Sequence, residues 1–136
     1  MRGSLTAPLA SRAGQAVRRA VESYPEVLNV VVVVTGGLSH QIHVELAGFN
    51  NTDWDMEFLE LLQHDPQALT RMTQADYVRL GGSESFEQIM WLAMRGAVEG
   101  PWHNVHQNYY LATTTAMTAV LYEVINPSDQ DNSLIN

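Results

Sequence analysis

Two residues combine a reactive side chain with a suggestive setting, His40 and Glu87. His40 closes the run Thr35-Gly36-Gly37-Leu38-Ser39-His40, whose paired glycines permit backbone angles or close approaches that a side chain would block. An imidazole titrates near neutral pH and suits proton transfer, so His40 is a candidate acid/base; a loop histidine bonded to backbone is the alternative. Glu87 falls in the first turn of an expected helix and is a candidate metal-binding carboxylate, or else a solvated acid favoured by the helix N-terminus. Its neighbours Met90 and Trp91 are bulky, and burial beside them would require a partner. The remaining histidines are weaker candidates. His40 and His43 share a face only in a helix, which the surrounding sequence does not suggest. His103 and His106 have ligand spacing on a helix, but they lie in an expected strand, where a spacing of three puts them on opposite faces.

Composition removes several alternative chemistries. The 136 residues include no Cys, which excludes thiolate metal sites, disulfides and a cysteine nucleophile. All seven cations are Arg, so Schiff-base chemistry and a phosphate-loop lysine are excluded as well. A net charge of −8 without a basic cluster argues against nucleic acid as a partner. The longest apolar run, Val30 to Val34, is far short of the roughly 20 residues that span a bilayer. The head Met1-Arg2-Gly3-Ser4-Leu5 carries no secretory signal, so the expectation is a cytoplasmic protein, off the membrane, acting on a small substrate.

The elements that must position these side chains read as α/β. Ser11 to Tyr24 is an amphipathic helix capped by Ser11, with Pro25 helping to end it. Val27 to Val34 is continuous and β-branched, the pattern of a strand buried on both faces in a central sheet. The glycine loop and His40 would then leave the carboxyl end of that strand, where ligands bind in open α/β sheets. Gly48, Asn50 and Asn51 mark turns. Thr52-Asp53-Trp54-Asp55 starts a helix with an acidic first turn and a stripe of Trp54, Phe58, Leu61 and Leu62. Asp65-Pro66 starts a second, and Thr73-Gln74-Ala75-Asp76 starts a third as a capping box that Gly81-Gly82 stops. From Ser83 a helix to about Gly96 should bury Phe86, Ile89, Met90, Ala93, Met94 and Ala97. Val105 to Leu111 reads as a strand, and Thr113 to Ile125 as a second, with helix as the alternative. The polar tail, 127–136, is expected to be disordered.

Thr35-Gly36-Gly37-Leu38-Ser39-His40-Gln41 is followed in register by Ala47-Gly48, Asn51, Trp54-Asp55, Phe58-Leu59, Asp65-Pro66, Tyr77-Val78-Arg79, Gly82-Ser83-Glu84, Glu87, Met90-Trp91-Leu92 and Met94-Arg95-Gly96-Ala97. Glu22-Ser23-Tyr24-Pro25 precedes this series, and Val105-His106 and Asn108-Tyr109 follow it. The series resembles the distal part of the catalytic (beta) subunit of class III extradiol ring-cleavage dioxygenases, such as those acting on protocatechuate or gallate. It covers the chain from about Gln15 to Glu123.

The resemblance implies that residues 1–126 form the C-terminal portion of a catalytic domain, an α/β sandwich with a central mixed sheet and flanking helices. It implies one non-haem Fe(II) held by two histidines and a glutamate, leaving positions for a catechol and O2. Matched residue by residue, His40 corresponds to the acid/base histidine and Glu87 to the iron-binding glutamate. The two iron-binding histidines belong to the family's N-terminal half, and none of His43, His64, His103 and His106 aligns with them. Where the family has a Gly-Pro-Arg stretch, this chain has His43-Val44-Glu45-Leu46, a change that bears on how an acidic ring substrate is received. Two functions follow as expectations: an Fe(II)-dependent extradiol dioxygenase, or a non-catalytic remnant or subunit that works only with another chain. The candidate protein partners are an alpha-type subunit and a second copy.

Overall fold

Short-range signals fix the helices, as seen in the computed structural model, which describes residues 5–43 and 45–125. Helix α1 spans Ala7–Glu22. It starts four residues ahead of the expected Ser11 because Pro8, with its fixed φ, already fits the first turn. Helix α2, Thr52–His64, is capped by the Asn51 side chain, which accepts from the Trp54 amide at 3.1 Å. Asp65 caps α3, Pro66–Arg71, in the same way. Helix α4, Gln74–Gly81, opens with the Thr73/Asp76 capping box and stops at Gly82, whose φ is +97°. The starts of α2, α3 and α4 and the stop of α4 agree with the sequence reading.

The segment after Ser83 departs from it. Ser85–Met90 is a 3-10 helix, and only Trp91–Ala97 is α-helical (α5). With three residues per turn, the buried positions become Ser85, Gln88 and Trp91, joined by Ile89 and Leu92. Phe86 and Met90, expected inside, are 49% and 41% exposed. The core gathers Trp54, Phe58, Leu62, Leu69, Tyr77 and Ile89, with Trp54 set edge-on to Tyr77. Helices α1 and α5 meet backbone to backbone: a Cβ on Gly14 would fall 1.9 Å from the Ala93 carbonyl oxygen, and one on Gly96 2.2 Å from that of Ser11.

Strands β1 (Trp102–Tyr110) and β2 (Met117–Val124) form an antiparallel ribbon, which settles the strand-or-helix alternative for the second. A bulge lies between Asn104 and His106. His103 therefore faces Glu123 and His106 faces Leu121, so the bulge puts both histidines on one face and corrects the expectation of opposite faces. On the inner face Trp102 stacks on Tyr122 at 4.8 Å, and the Arg95 guanidinium lies 4.3 Å from the Trp102 ring centre. Arg95 also donates to the carbonyls of Leu62, Val98 and Gly100, which ties the helices to the ribbon.

The expected central strand at Val27–Val34 is not formed. The segment has no ladder partner among the described residues, and Val31 and Val33 are 82% and 79% exposed. A strand exists only where a neighbour satisfies its amides and carbonyls. Here β2 stands across an open groove from the segment. The described sheet is accordingly two-stranded and antiparallel, where a central mixed sheet was expected. No described helix is long and apolar enough to cross a membrane, and the tail at 127–136 lies outside the described residues.

Candidate active site

The structure brings the two candidate residues to one point, Gly37. The Glu87 carboxylate accepts the Gly37 amide through Oε2 at 2.9 Å. The His40 ring lies on the other side: a Cβ on Gly37 would stand 3.1 Å from its Cε1 and 2.9 Å from the Thr115 methyl. Gly37 is thus a spacer that only glycine fills without displacing the imidazole. Glu87 is exposed here, so the anticipated cost of burying it does not arise.

His40 is buried, at 4% exposure, and its Nδ1 lies 2.8 Å from the Leu38 carbonyl oxygen. A carbonyl only accepts, so Nδ1 carries a proton, and in the neutral ring the lone pair is on Nε2. The ring orientation and tautomer are set by the loop itself. This satisfies the backbone-bonded alternative, and it is equally the state a general base requires.

The loop is held from four directions. The His40 amide donates to the Gly81 carbonyl at 2.7 Å, and a Cβ on Gly82 would fall 2.3 Å from the His40 oxygen. Gly81-Gly82 therefore ends α4 and also seats the loop. Leu38 and Ser39 exchange backbone bonds with Ala116, next to an antiparallel His40–Thr115 bridge. The Asn50 side chain donates to the carbonyl of Ser39 at 2.7 Å.

The fourth support is Asp55, which the sequence reading took only for a first-turn acid. Its carboxylate is fully buried and accepts from the Ser39 amide (2.7 Å), the Ser39 hydroxyl (2.6 Å), the Tyr109 hydroxyl (2.8 Å) and the Gln88 amide (3.3 Å). Burial pushes this carboxyl above the usual 3.8, against the lowering pull of bonds from Ser39, Tyr109 and Gln88. A signal for it did exist. Asp55 sits three, four and seven residues before Phe58, Leu59 and Leu62, so it lies on the apolar face of α2.

The other histidines stay apart from this point. His43 lies 3.3 Å from Glu84, and His64 lies 3.5 Å from Glu60 in the next turn back. Among the described residues no cluster of three or more His, Cys, Asp or Glu side chains could hold a metal ion.

Residues 5–122 match the family model described as the catalytic LigB subunit of aromatic ring-opening dioxygenase. The chain is also 52% identical over 118 residues to gallate dioxygenase of Pseudomonas putida, a match covering 87% of this chain and 35% of that protein. The chain thus spans about a third of the length of the curated relative it matches. With the match extending through nearly the whole sequence, glycine loop and Glu87 included, the chain belongs to the family of catalytic LigB subunits of aromatic ring-opening dioxygenases.

Proposed function

We propose that this chain supplies the acid/base half of an extradiol ring-cleaving dioxygenase acting in the cytoplasm on gallate- or protocatechuate-like catechols with O2. The observation that supports this reading most directly is the convergence of His40 and Glu87 on Gly37. His40, with Nδ1–H committed to Leu38, offers Nε2 to take a proton from a ring hydroxyl and to return it later. Glu87 would provide one carboxylate ligand to Fe(II), which, when bound, supplies the site for catechol chelation and O2 activation. The residues present do not fit a complete two-histidine, one-carboxylate centre, since no three-ligand cluster occurs among those described. That favours the second reading, in which the chain acts only in association with another polypeptide.

The test is oxygen uptake with Fe(II) and gallate or protocatechuate. It is run on the chain alone and on the chain mixed with the remaining portion of the Pseudomonas putida relative. Uptake is expected in the mixture, and His40→Gln should lower it by about 10²–10⁴-fold, the range of a lost general acid/base. Absence of uptake in both samples, with each protein folded by circular dichroism, refutes the catalytic reading.

A further inference from the structure

One buried oxygen joins the two sides of the candidate site. The four donors on the Asp55 carboxylate divide by chemistry. Oδ1 accepts two N–H groups, the Ser39 amide at 2.7 Å and the Gln88 side-chain amide at 3.3 Å. Oδ2 accepts two hydroxyls, that of Ser39 at 2.6 Å and that of Tyr109 at 2.8 Å. Ser39 is the residue before His40, and Gln88 is the residue after Glu87. None of the four bonds goes to His40 or Glu87 directly.

Both neighbours are held firmly enough to transmit position. Ser39 and Gln88 are fully buried, and the Ser39 hydroxyl oxygen also accepts the Asn51 amide at 2.8 Å. The Gln88 carboxamide is fixed at both ends, because its oxygen takes the Trp54 indole N–H at 2.9 Å and its NH2 group meets the carboxylate. The three-residue period of the 3-10 turn sets Ser85 and Gln88 inward, so Glu87, one position back, is rotated about a third of a turn away. Gly36 and Gly37 lie on that side: a Cβ on Gly36 would stand 3.4 Å from the Glu87 Cβ, and Glu87 Oε2 accepts the Gly37 amide. Fixing Gln88 therefore fixes the direction in which Glu87 points.

With His40 and Glu87 in the roles proposed above, on which this step rests, we infer that Asp55 is a positioning residue for both of them. Its Oδ1 sets the separation between the loop that carries His40 and the turn that carries Glu87. What is required there is an acceptor, not a negative charge. Both partners of Oδ2 are hydroxyls, which accept as well as donate, so an NH2 group in its place is tolerated.

NMR on the isotope-labelled chain, without substrate or metal, reads the placement through three signals. The first is exchange of the Gly37 amide. The second is the nuclear Overhauser contact between the His40 ring and the Thr115 methyl, which lie 3.1 and 2.9 Å from one point beside Gly37. The third is the contact between Gly36 Hα and the Glu87 Cβ protons. Asp55→Ala should speed Gly37 exchange about tenfold and weaken both contacts. Asp55→Asn should restore all three. Tyr109→Phe, which removes a donor from Oδ2 only, and Leu69→Ala, a core cavity in α3, should leave them as in the parent. Should Asp55→Ala fail to fold, Gln88→Met decides: it keeps both Ser39 bonds, so it should lose the Gly36–Glu87 contact and retain the His40–Thr115 one. Unchanged signals in folded Asp55→Ala or in Gln88→Met, or loss of both contacts in Asp55→Asn, would overturn the inference. So would an equal loss in Tyr109→Phe or Leu69→Ala, which would reduce the role of Asp55 to general stability. Failed oxygen uptake counts against the proposed function alone, since none of these signals depends on turnover.

Discussion

Asp55 is the position where a small change should be most informative. Four donors converge on its carboxylate, two hydroxyls and two amides. In Asp55→Ala the Ser39 and Tyr109 hydroxyls can rotate toward other acceptors, but the Ser39 N–H is fixed by the loop backbone. Unsatisfied buried polar groups cost about 1–3 kcal/mol each, so two stranded amides and partial rescue of the hydroxyls give a loss of about 3–5 kcal/mol. Set against a domain stability of about 5–15 kcal/mol, that is at least about a fifth of the total. Asp55→Asn keeps one acceptor oxygen and offers its NH2 to hydroxyls that can accept, so its cost should be about 1–2 kcal/mol. Urea denaturation followed by circular dichroism measures both. The pH dependence has a definite sign. A carboxyl whose folded value is raised holds its proton more tightly folded than unfolded. Its contribution is full below 3.8 and is lost as pH rises through the folded value. The deficit of Asp55→Asn should therefore be larger at pH 3.5 than at pH 7. Hydrogen exchange gives the local readout, because the Ser39 amide should lose protection more than amides of α1. If Asp55→Ala stays within 1 kcal/mol of the parent and Ser39 remains protected, the network does not hold the loop.

Three further outcomes follow from individual contacts. Gly82→Ala should destabilise by about 2–4 kcal/mol in urea titration, since its Cβ would fall 2.3 Å from the His40 oxygen at a φ that L residues rarely adopt. Gly37→Ala should cost less, about 1–2 kcal/mol, because the atoms it meets are a methyl group and a ring that can shift, yet it should move the His40 ring resonances in NMR. Bonds from the Thr73 backbone and hydroxyl hold the Asp76 carboxyl below 3.8; its capping contribution is thus complete above that value and lost as pH falls further. Acid titration of Thr73→Ala should accordingly show a shallower loss of helicity than the parent below pH 3.8.

What could be read from sequence divides by the range of the interaction. Asn51, Asp65 and Thr73 each cap a helix through a residue three positions on, so the residues that decide the boundary stand next to each other in sequence. The convergence of His40 and Glu87, 47 positions apart, followed only from the family resemblance, since no local pattern predicts that both touch Gly37. Asp55 was missed because an acid in a first turn has an adequate local explanation, and its four donors come from three distant segments. The bulge before His106 is invisible for a similar reason. It is a property of the pairing with β2, and one extra residue reverses which face a histidine takes. The 3-10 turn at Ser85–Met90 shifted the expected face because a period of three had been read as 3.6.

The valine run is the opposite case, a segment whose sequence states its environment more clearly than its observed surroundings do. Six valines in eight residues specify burial on both faces, and the described chain provides neither a paired neighbour nor outer cover. The loop that follows is nonetheless fully organised. Its supports, Asp55, Asn50, Gly81 and Ala116, all lie within the described residues, and none belongs to the valine segment before it. The two halves of the expected chemistry therefore separate physically. His40, the proposed acid/base, has its ring orientation and its anchoring set by this chain. In the proposed reading Glu87 would give a metal one carboxylate, and no cluster of three or more His, Cys, Asp or Glu side chains accompanies it among the described residues.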